Sequence, residues 1–143
     1  MKTVGELMTR DLVTLKESQN LAIADELLRL HRIRHLPVVR EGKLVGLITH
    51  RDLLKATALK CPDPAKNPLW AADIMNREVR TVKPDMSLRE AVKLMLDNKF
   101  GCLPVVGEEG RLLGILTEAD LVRYAQQLIG DLDRMSEAAE YEE

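Results

Sequence analysis

Leu36-Pro37-Val38-Val39-Arg40-Glu41-Gly42-Lys43-Leu44-Val45-Gly46-Leu47-Ile48-Thr49-His50-Arg51-Asp52 occurs twice in this chain in altered form. The second version runs Leu103-Pro104-Val105-Val106-Gly107-Glu108-Glu109-Gly110-Arg111-Leu112-Leu113-Gly114-Ile115-Leu116-Thr117-Glu118-Ala119-Asp120. The prolines are 67 residues apart and the threonines 68, so the second turn carries one extra residue. A unit written twice implies a pseudo-symmetric pair. The cleft between two such halves is a natural place for a ligand.

Each copy reads as strand, turn, strand and helix. Leu36 to Val39 and Leu44 to Ile48 are strand-like, and Gly42 can take the positive φ of a hairpin turn. Thr49 then opens a helix through Leu53 and Leu54. Upstream, Leu12 to Leu15 suggests a first strand, and Asn20 caps a helix over Leu21 to Arg32. The second unit repeats the order. It has a strand at Val79 to Val82, an S-x-x-E capping box (Ser87, Glu90) before a helix to Lys99, and strands at Leu103 to Val106 and Leu112 to Leu116. Thr117 opens the closing helix. Pro62, Pro64 and Pro68 mark a linker, and Trp70 is expected where the halves meet. The boundaries are 1–59, a linker 60–70, 71–127, and an acidic helix or tail over 128–143. The fold class is α/β (α+β): two β-α-β-β-α repeats packed sheet to sheet with pseudo-two-fold symmetry.

Composition narrows the function. Hydrophobic residues make up 45% of the 143, aromatics only 3%, and the net charge is −2. The core is therefore aliphatic, and the balance is not that of a nucleic-acid-binding surface. No apolar run is long enough to span a membrane, and no secretory segment follows Met1, so a cytoplasmic protein is expected. Cys61 and Cys102 do not make a disulfide framework. Cys61 is expected to be exposed in the linker and Cys102 to be a small wall residue. His31, His35 and His50 lack metal-ligand spacing, so no metal is expected.

The chemistry lies in Gly46-Leu47-Ile48-Thr49-His50-Arg51-Asp52 and Gly114-Ile115-Leu116-Thr117-Glu118-Ala119-Asp120. Together with the h-P-h-h strands (h, an apolar residue) and the openings Leu7-Met8-Thr9 and Ile74-Met75-Asn76, they resemble a tandem pair of CBS (cystathionine β-synthase) domains over about residues 1–127. Thr49 and Thr117 stand at helix N-termini, where backbone N–H groups and the dipole favour an anion. Asp52 and Asp120, three residues on, can accept a ribose diol. The same pairs could equally be capping pairs.

The resemblance implies that these positions hold the phosphate and ribose of adenosine ligands, with the base between strands of the other repeat. Thr49 and Asp52 would then share a pocket with Arg80, Thr81, Val82, Gly101, Cys102, Leu103 and Pro104. Thr117 and Asp120 would share one with Val13, Thr14, Leu15, Arg34, His35, Leu36 and Pro37. His50 and Arg51 flank Thr49, whereas Glu118 and Ala119 flank Thr117, so the Thr49 pocket is expected to bind a phosphate tail more tightly. Arg34 could serve either pocket.

The expected function is a non-catalytic regulatory module. It would take AMP, ADP or ATP as a regulatory ligand, require no cofactor, and signal by rearranging its repeats or its homodimer. With no effector domain in 143 residues, its output would pass through self-assembly or an unidentified protein target. The alternative is a protein–protein interaction module that regulates a partner enzyme, with an S-adenosylmethionine- or NAD-type ligand or none.

Overall fold

A computed structural model describes residues 1–59 and 69–141. The chain order is α1 (Val4–Leu7), β1 (Leu15–Lys16), α2 (Leu21–His31), β2 (His35–Arg40), β3 (Lys43–Thr49), α3 (His50–Leu59), α4 (Ala71–Ile74), α5 (Leu88–Asn98), β4 (Cys102–Val106), β5 (Leu112–Thr117) and α6 (Glu118–Tyr141). β1, β2 and β3 form one sheet, with β1 parallel and β3 antiparallel to β2. β4 and β5 form a second, antiparallel sheet. This is the mixed α/β architecture that the repeat predicts. The prolines expected to form the linker lie outside the described residues, as does Cys61.

Local chemistry accounts for the element ends. The Ile23 N–H donates to the Asn20 side chain at 3.0 Å, and the Glu90 N–H donates to Ser87 Oγ at 3.1 Å. Arg32 and Lys99 close α2 and α5 in the left-handed region, with φ of 53° and 57°. Each helix therefore stops one residue short of its predicted end. In the first hairpin Glu41 and Gly42 have φ of 52° and 80°, the positive pair that a type I′ turn requires. Glu109 and Gly110 repeat this at 58° and 78°. The extra residue of the second copy sits just before them, in a single 3-10 turn over Glu108–Gly110.

Two predicted strands differ. The first strand covers only Leu15–Lys16, not Leu12 to Leu15. Val79 to Val82 forms no strand; Val82 alone pairs with Val105. The second unit therefore reads α-β-β-α after its opening. A strand needs a run of ladder bonds, and here only the Val82 N–H to Pro104 O and Val106 N–H to Val82 O bonds (3.1 and 3.0 Å) are made. The closing helix continues through the acidic segment to Tyr141, as α6.

The two cores do not follow the sequence units. Val4 and Met8 pack with Val82, Leu88, Ala91, Met95, Leu103, Val105 and Leu116 of the second repeat. Ala71 and Met75 pack with Leu15, Ala24, Leu28, Leu36, Val38, Ile48 and Leu53 of the first. Each repeat's opening segment thus completes the other's core. Matched backbone bonds hold both in place. Val4 N–H to Met86 O and Gly5 N–H to Pro84 O, at 2.9 and 2.8 Å, have counterparts in Ala71 N–H to Gln19 O and Ala72 N–H to Glu17 O, at 2.7 and 3.1 Å. Trp70, expected between the halves, is 46% exposed and pairs through its backbone with Asn20.

The exchange needs two glycines. A Cβ on Gly46 would lie 2.5 Å from Met75 Sδ, and one on Gly114 would lie 2.6 Å from Met8 Sδ and 2.9 Å from the Thr9 carbonyl oxygen. A thioether can turn aside, but a paired backbone carbonyl cannot. Gly114→Ala should therefore destabilise the protein by about 2–3 kcal/mol, as overpacking does, and Gly46→Ala should cost less. Urea unfolding of the two variants checks the order.

Candidate functional site

Thr49 and Thr117 end β3 and β5, and α3 and α6 start at the next residue. In the first repeat the Thr49 N–H donates to Asp52 Oδ2 at 3.0 Å, and the Asp52 N–H donates to Thr49 Oγ1 at 3.1 Å. In the second the Thr117 N–H and hydroxyl donate to Asp120 Oδ2 at 2.9 and 3.2 Å, and the Asp120 N–H returns to Thr117 Oγ1 at 3.4 Å. Both motifs are thus reciprocal capping boxes, each closing the first turn of its helix. The His50 N–H donates to the Arg34 carbonyl at 2.9 Å and the Glu118 N–H to that of Gly101 at 3.3 Å. Each helix start is thereby docked on the residues just before the proline strand.

The two carboxylates differ in their surroundings. Asp120 is only 5% exposed. Its Oδ1 accepts from Thr9 Oγ1 and from Arg123 Nη2, each at 2.7 Å. Asp52 is half-buried, and among the described residues only Thr49 donates to it.

A cleft of about 420 Å³ lies beside Thr117. Val13, Arg34, His35 and Pro37 line its far wall, with Gly101, Ile115, Glu118 and Ala119 nearer the helix. Sequence reasoning missed Thr9, Arg32 and Arg123, which also line it. A signal for Arg123 was present, since it stands one helical turn after Asp120. Thr9 arrives through the exchanged opening, which no local pattern reveals. The rim carries Arg32, Arg34, Arg123 and His31 against Asp11 and Glu118.

The other predicted site residues are distributed by strand alternation. Leu15, Leu36, Val82 and Leu103 point into the cores, so their side chains do not face a ligand there. Pro104 is fully buried and Cys102 buried. Thr14 and Thr81 are half-buried and Arg80 is exposed. Gly101, expected beside Thr49, instead lines the Thr117 cleft, where an added Cβ would lie 2.9 Å from His35 Nε2. Thr49, Asp52, His50 and Arg51 do not line this cleft, and His50 and Arg51 are exposed. Arg34 falls on the Thr117 side. The cations gathered there remove the charge argument for a tighter Thr49 pocket.

Burial lowers the proton affinity of His35 below the ordinary imidazole value. Nearby Glu118 and Asp52 oppose the shift and Arg34 adds to it. The Cys102 thiol is pushed up to about 12, chiefly by burial and secondarily by the Glu118 charge. Such a thiol is a buried packing group rather than a nucleophile. Among the described residues no cluster of His, Cys, Asp or Glu could hold a metal ion, and no helix is long and apolar enough to cross a membrane.

Comparison with known proteins places the chain. The CBS domain family model matches residues 4–59 and again 71–127. The chain belongs to the CBS-domain family, as a tandem pair. It is similar to the crystal structure of a putative acetoin utilization protein (AcuB) from Vibrio cholerae, with TM-score 0.83 and 33% identity over 94% of this chain and 97% of that one. CBSX2 from Arabidopsis thaliana, solved in complex with AMP, matches with TM-score 0.77 and 33% identity over 90% of this chain and 98% of that one. The CBS pair of protein MJ0100, solved with 5′-methylthioadenosine and S-adenosyl-L-methionine, matches with TM-score 0.77 and 30% identity over 89% and 98%. The chain spans from about a quarter to two thirds of the length of the first curated relatives it matches.

One test concerns the thiol. In a Cys61→Ser variant, Cys102 should resist iodoacetamide at pH 8 in the folded protein and react fully once urea is added. Mass spectrometry reads both states.

Proposed function

We propose that the protein is a regulatory module that binds an adenosine ligand carrying phosphate in the cleft beside Thr117 and Asp120. The observation that carries this reading is the cleft itself. It joins a capped helix start and a set of guanidinium groups in about 420 Å³, a volume in the usual range for small-molecule sites of roughly 300–1,000 Å³, and the buried Asp120 carboxylate lies just behind its lining residues Thr9 and Arg123. Asp120 offers acceptors for a ribose diol, and Arg34, Arg32 and Arg123 offer cations to phosphate. Pro37 and Ile115 supply apolar surface for the base. AMP in CBSX2 and S-adenosylmethionine in the MJ0100 pair support the adenosine class. The cationic rim favours AMP, ADP or ATP over a sulfonium ligand.

The reading is non-catalytic. The cleft groups hold a nucleotide by hydrogen bonds and charge, and the thiol beside it stays protonated. Thr49 and Asp52 form the second, pseudo-equivalent position for the same ligand class. A bound nucleotide bridges β5 and α6 of one repeat and residues 34–37 of the other. It can bias the angle between repeats only through unequal affinity for two arrangements.

Thermal denaturation with AMP, ATP and S-adenosylmethionine tests the reading. AMP or ATP at 100 times its Kd should add about 2.7 kcal/mol of stability. Asp120→Ala should weaken nucleotide binding at this cleft by about 1.5–3 kcal/mol, the usual worth of a hydrogen bond to a charged group. No shift with any of the three ligands would overturn it.

The route of output we propose is a homodimer. Leu54 and Val122 hold equivalent positions on α3 and α6 and are 57% and 68% exposed. Further along α6, Leu128, Leu132 and Met135 are 44%, 64% and 68% exposed at helical spacing. Leu132→Glu should shift sedimentation from dimer towards monomer without lowering the melting temperature of the dilute protein. A parent protein that sediments as a monomer would refute this.

A further inference from the structure

We propose that Thr9 and Arg123 form a latch on Asp120. The latch sets the threshold for ligand entry into the Thr117 cleft and makes entry depend on phosphate. The proposal rests on the adenosine reading above.

A carboxylate has about four lone-pair positions to offer, and Asp120 has filled them all. Oδ2 accepts the Thr117 N–H and hydroxyl, and Oδ1 accepts Thr9 Oγ1 and Arg123 Nη2. A ribose diol can therefore bind only by taking Oδ1 from Thr9 and Arg123. Asp52 is not arranged this way, since Thr49 engages its Oδ2 alone among the described residues. The equivalent of Thr9 is Asn76, whose side chain is turned to Glu78, accepting that residue's N–H at 3.1 Å. The equivalent of Arg123 is Lys55. Among the described residues, Asp52 is thus without the latch that Asp120 carries.

The latch can release without moving the fold. The backbone of Thr9 is clamped to Ile115 by two bonds of 2.8 and 3.0 Å, so only its side chain need turn. Arg123 is 67% exposed at the side chain, whereas Asp120 is 4%. The guanidinium can leave the carboxylate for the neighbouring cleft space at little desolvation cost, whereas Asp120 cannot be left without donors. A ligand with ribose alone supplies two hydroxyl donors and leaves Arg123 unpaired. A ligand with a 5′-phosphate supplies the hydroxyls and also a new partner for Arg123. The latch therefore discriminates between adenosine and AMP.

Calorimetric titration with adenosine and with AMP decides this. An Asp52→Ala background confines binding to the Thr117 cleft. Thr9→Val, which keeps shape and loses the hydroxyl, should bind adenosine about tenfold more tightly than its parent, and Thr9→Ser should behave as the parent. Arg123→Met should tighten adenosine and lower the preference for AMP over adenosine by about tenfold. A Thr9 hydroxyl with a merely structural role would lower stability and leave affinity unchanged. Unchanged or weaker adenosine affinity in Thr9→Val, with the parent binding normally, overturns the latch alone. An equal gain for both ligands in Arg123→Met overturns the phosphate dependence. If neither ligand binds any variant or the intact parent, the adenosine reading fails and the latch fails with it.

Discussion

The exchange of opening segments is the constraint on which the rest of this structure depends. Val4 and Met8 fill the second core, and Ala71 and Met75 fill the first. A unit of three short strands and two helices cannot enclose an aliphatic core alone. Borrowing a two-residue plug from its twin closes each core and ties the two together. The same crossing carries Thr9 to Ile115 and Asn76 to Leu47 through paired backbone bonds. The Thr117 cleft is therefore lined by both repeats. A ligand there contacts a junction rather than a single unit, which is where a small binding energy can bias a relative orientation.

The Thr-x-x-Asp motifs show why a capping box and a ligand site are not competing descriptions. A helix N-terminus carries unpaired N–H groups whether or not a ligand is present. Asp52 and Asp120 turn back on their own threonines, which stabilises each helix start by about 1 kcal/mol. Each box uses Oδ2 and leaves the other oxygen for an outside donor. For Asp120 that donor is Thr9 together with Arg123; for Asp52 the described residues supply none. The local motif is duplicated, but its saturation is not, and saturation decides what each carboxylate can accept.

Much of this was legible in the sequence because it is local. The doubled Glu-Gly turns, the Asn20 and Ser87 caps and the Thr49 and Thr117 helix starts all follow from side chains acting on their own backbone. The failures lie where a distant partner decides. Val79 to Val82 has strand-like residues, but a strand exists only where a neighbour offers a ladder, and here one residue finds it. The resemblance places the whole of the runs 34–37 and 101–104 at pockets, but period-two alternation sends Leu36 and Leu103 to the cores. Trp70 does stand where the halves meet, through its backbone bridge to Asn20, but the residue is 46% exposed rather than packed between them. The acidic segment from residue 128 to Tyr141 is helix rather than loose tail in α6, where Leu128, Leu132 and Met135 keep helical spacing.

The charge asymmetry that the sequence suggested was computed from neighbours in the chain, and the fold reassigns it. His50 and Arg51 follow Thr49 directly, but successive helix residues point about 100° apart, so adjacency in sequence does not place a cation beside the threonine. Both are exposed and outside the described cleft. Arg32 and Arg34 lie far from Thr117 in the chain and reach its cleft because the loop closing α2, turned by the left-handed Arg32, delivers them there. The backbone bonds that carry the exchanged openings match in the two repeats, so around the Thr-x-x-Asp motifs the halves differ chiefly in side chains. Thr9 against Asn76, Arg123 against Lys55 and Arg34-His35 against Gly101-Cys102 are the differences that matter. One scaffold thereby holds, among the described residues, a carboxylate with one oxygen lacking a donor in one half and a saturated one behind a cation-lined cleft in the other.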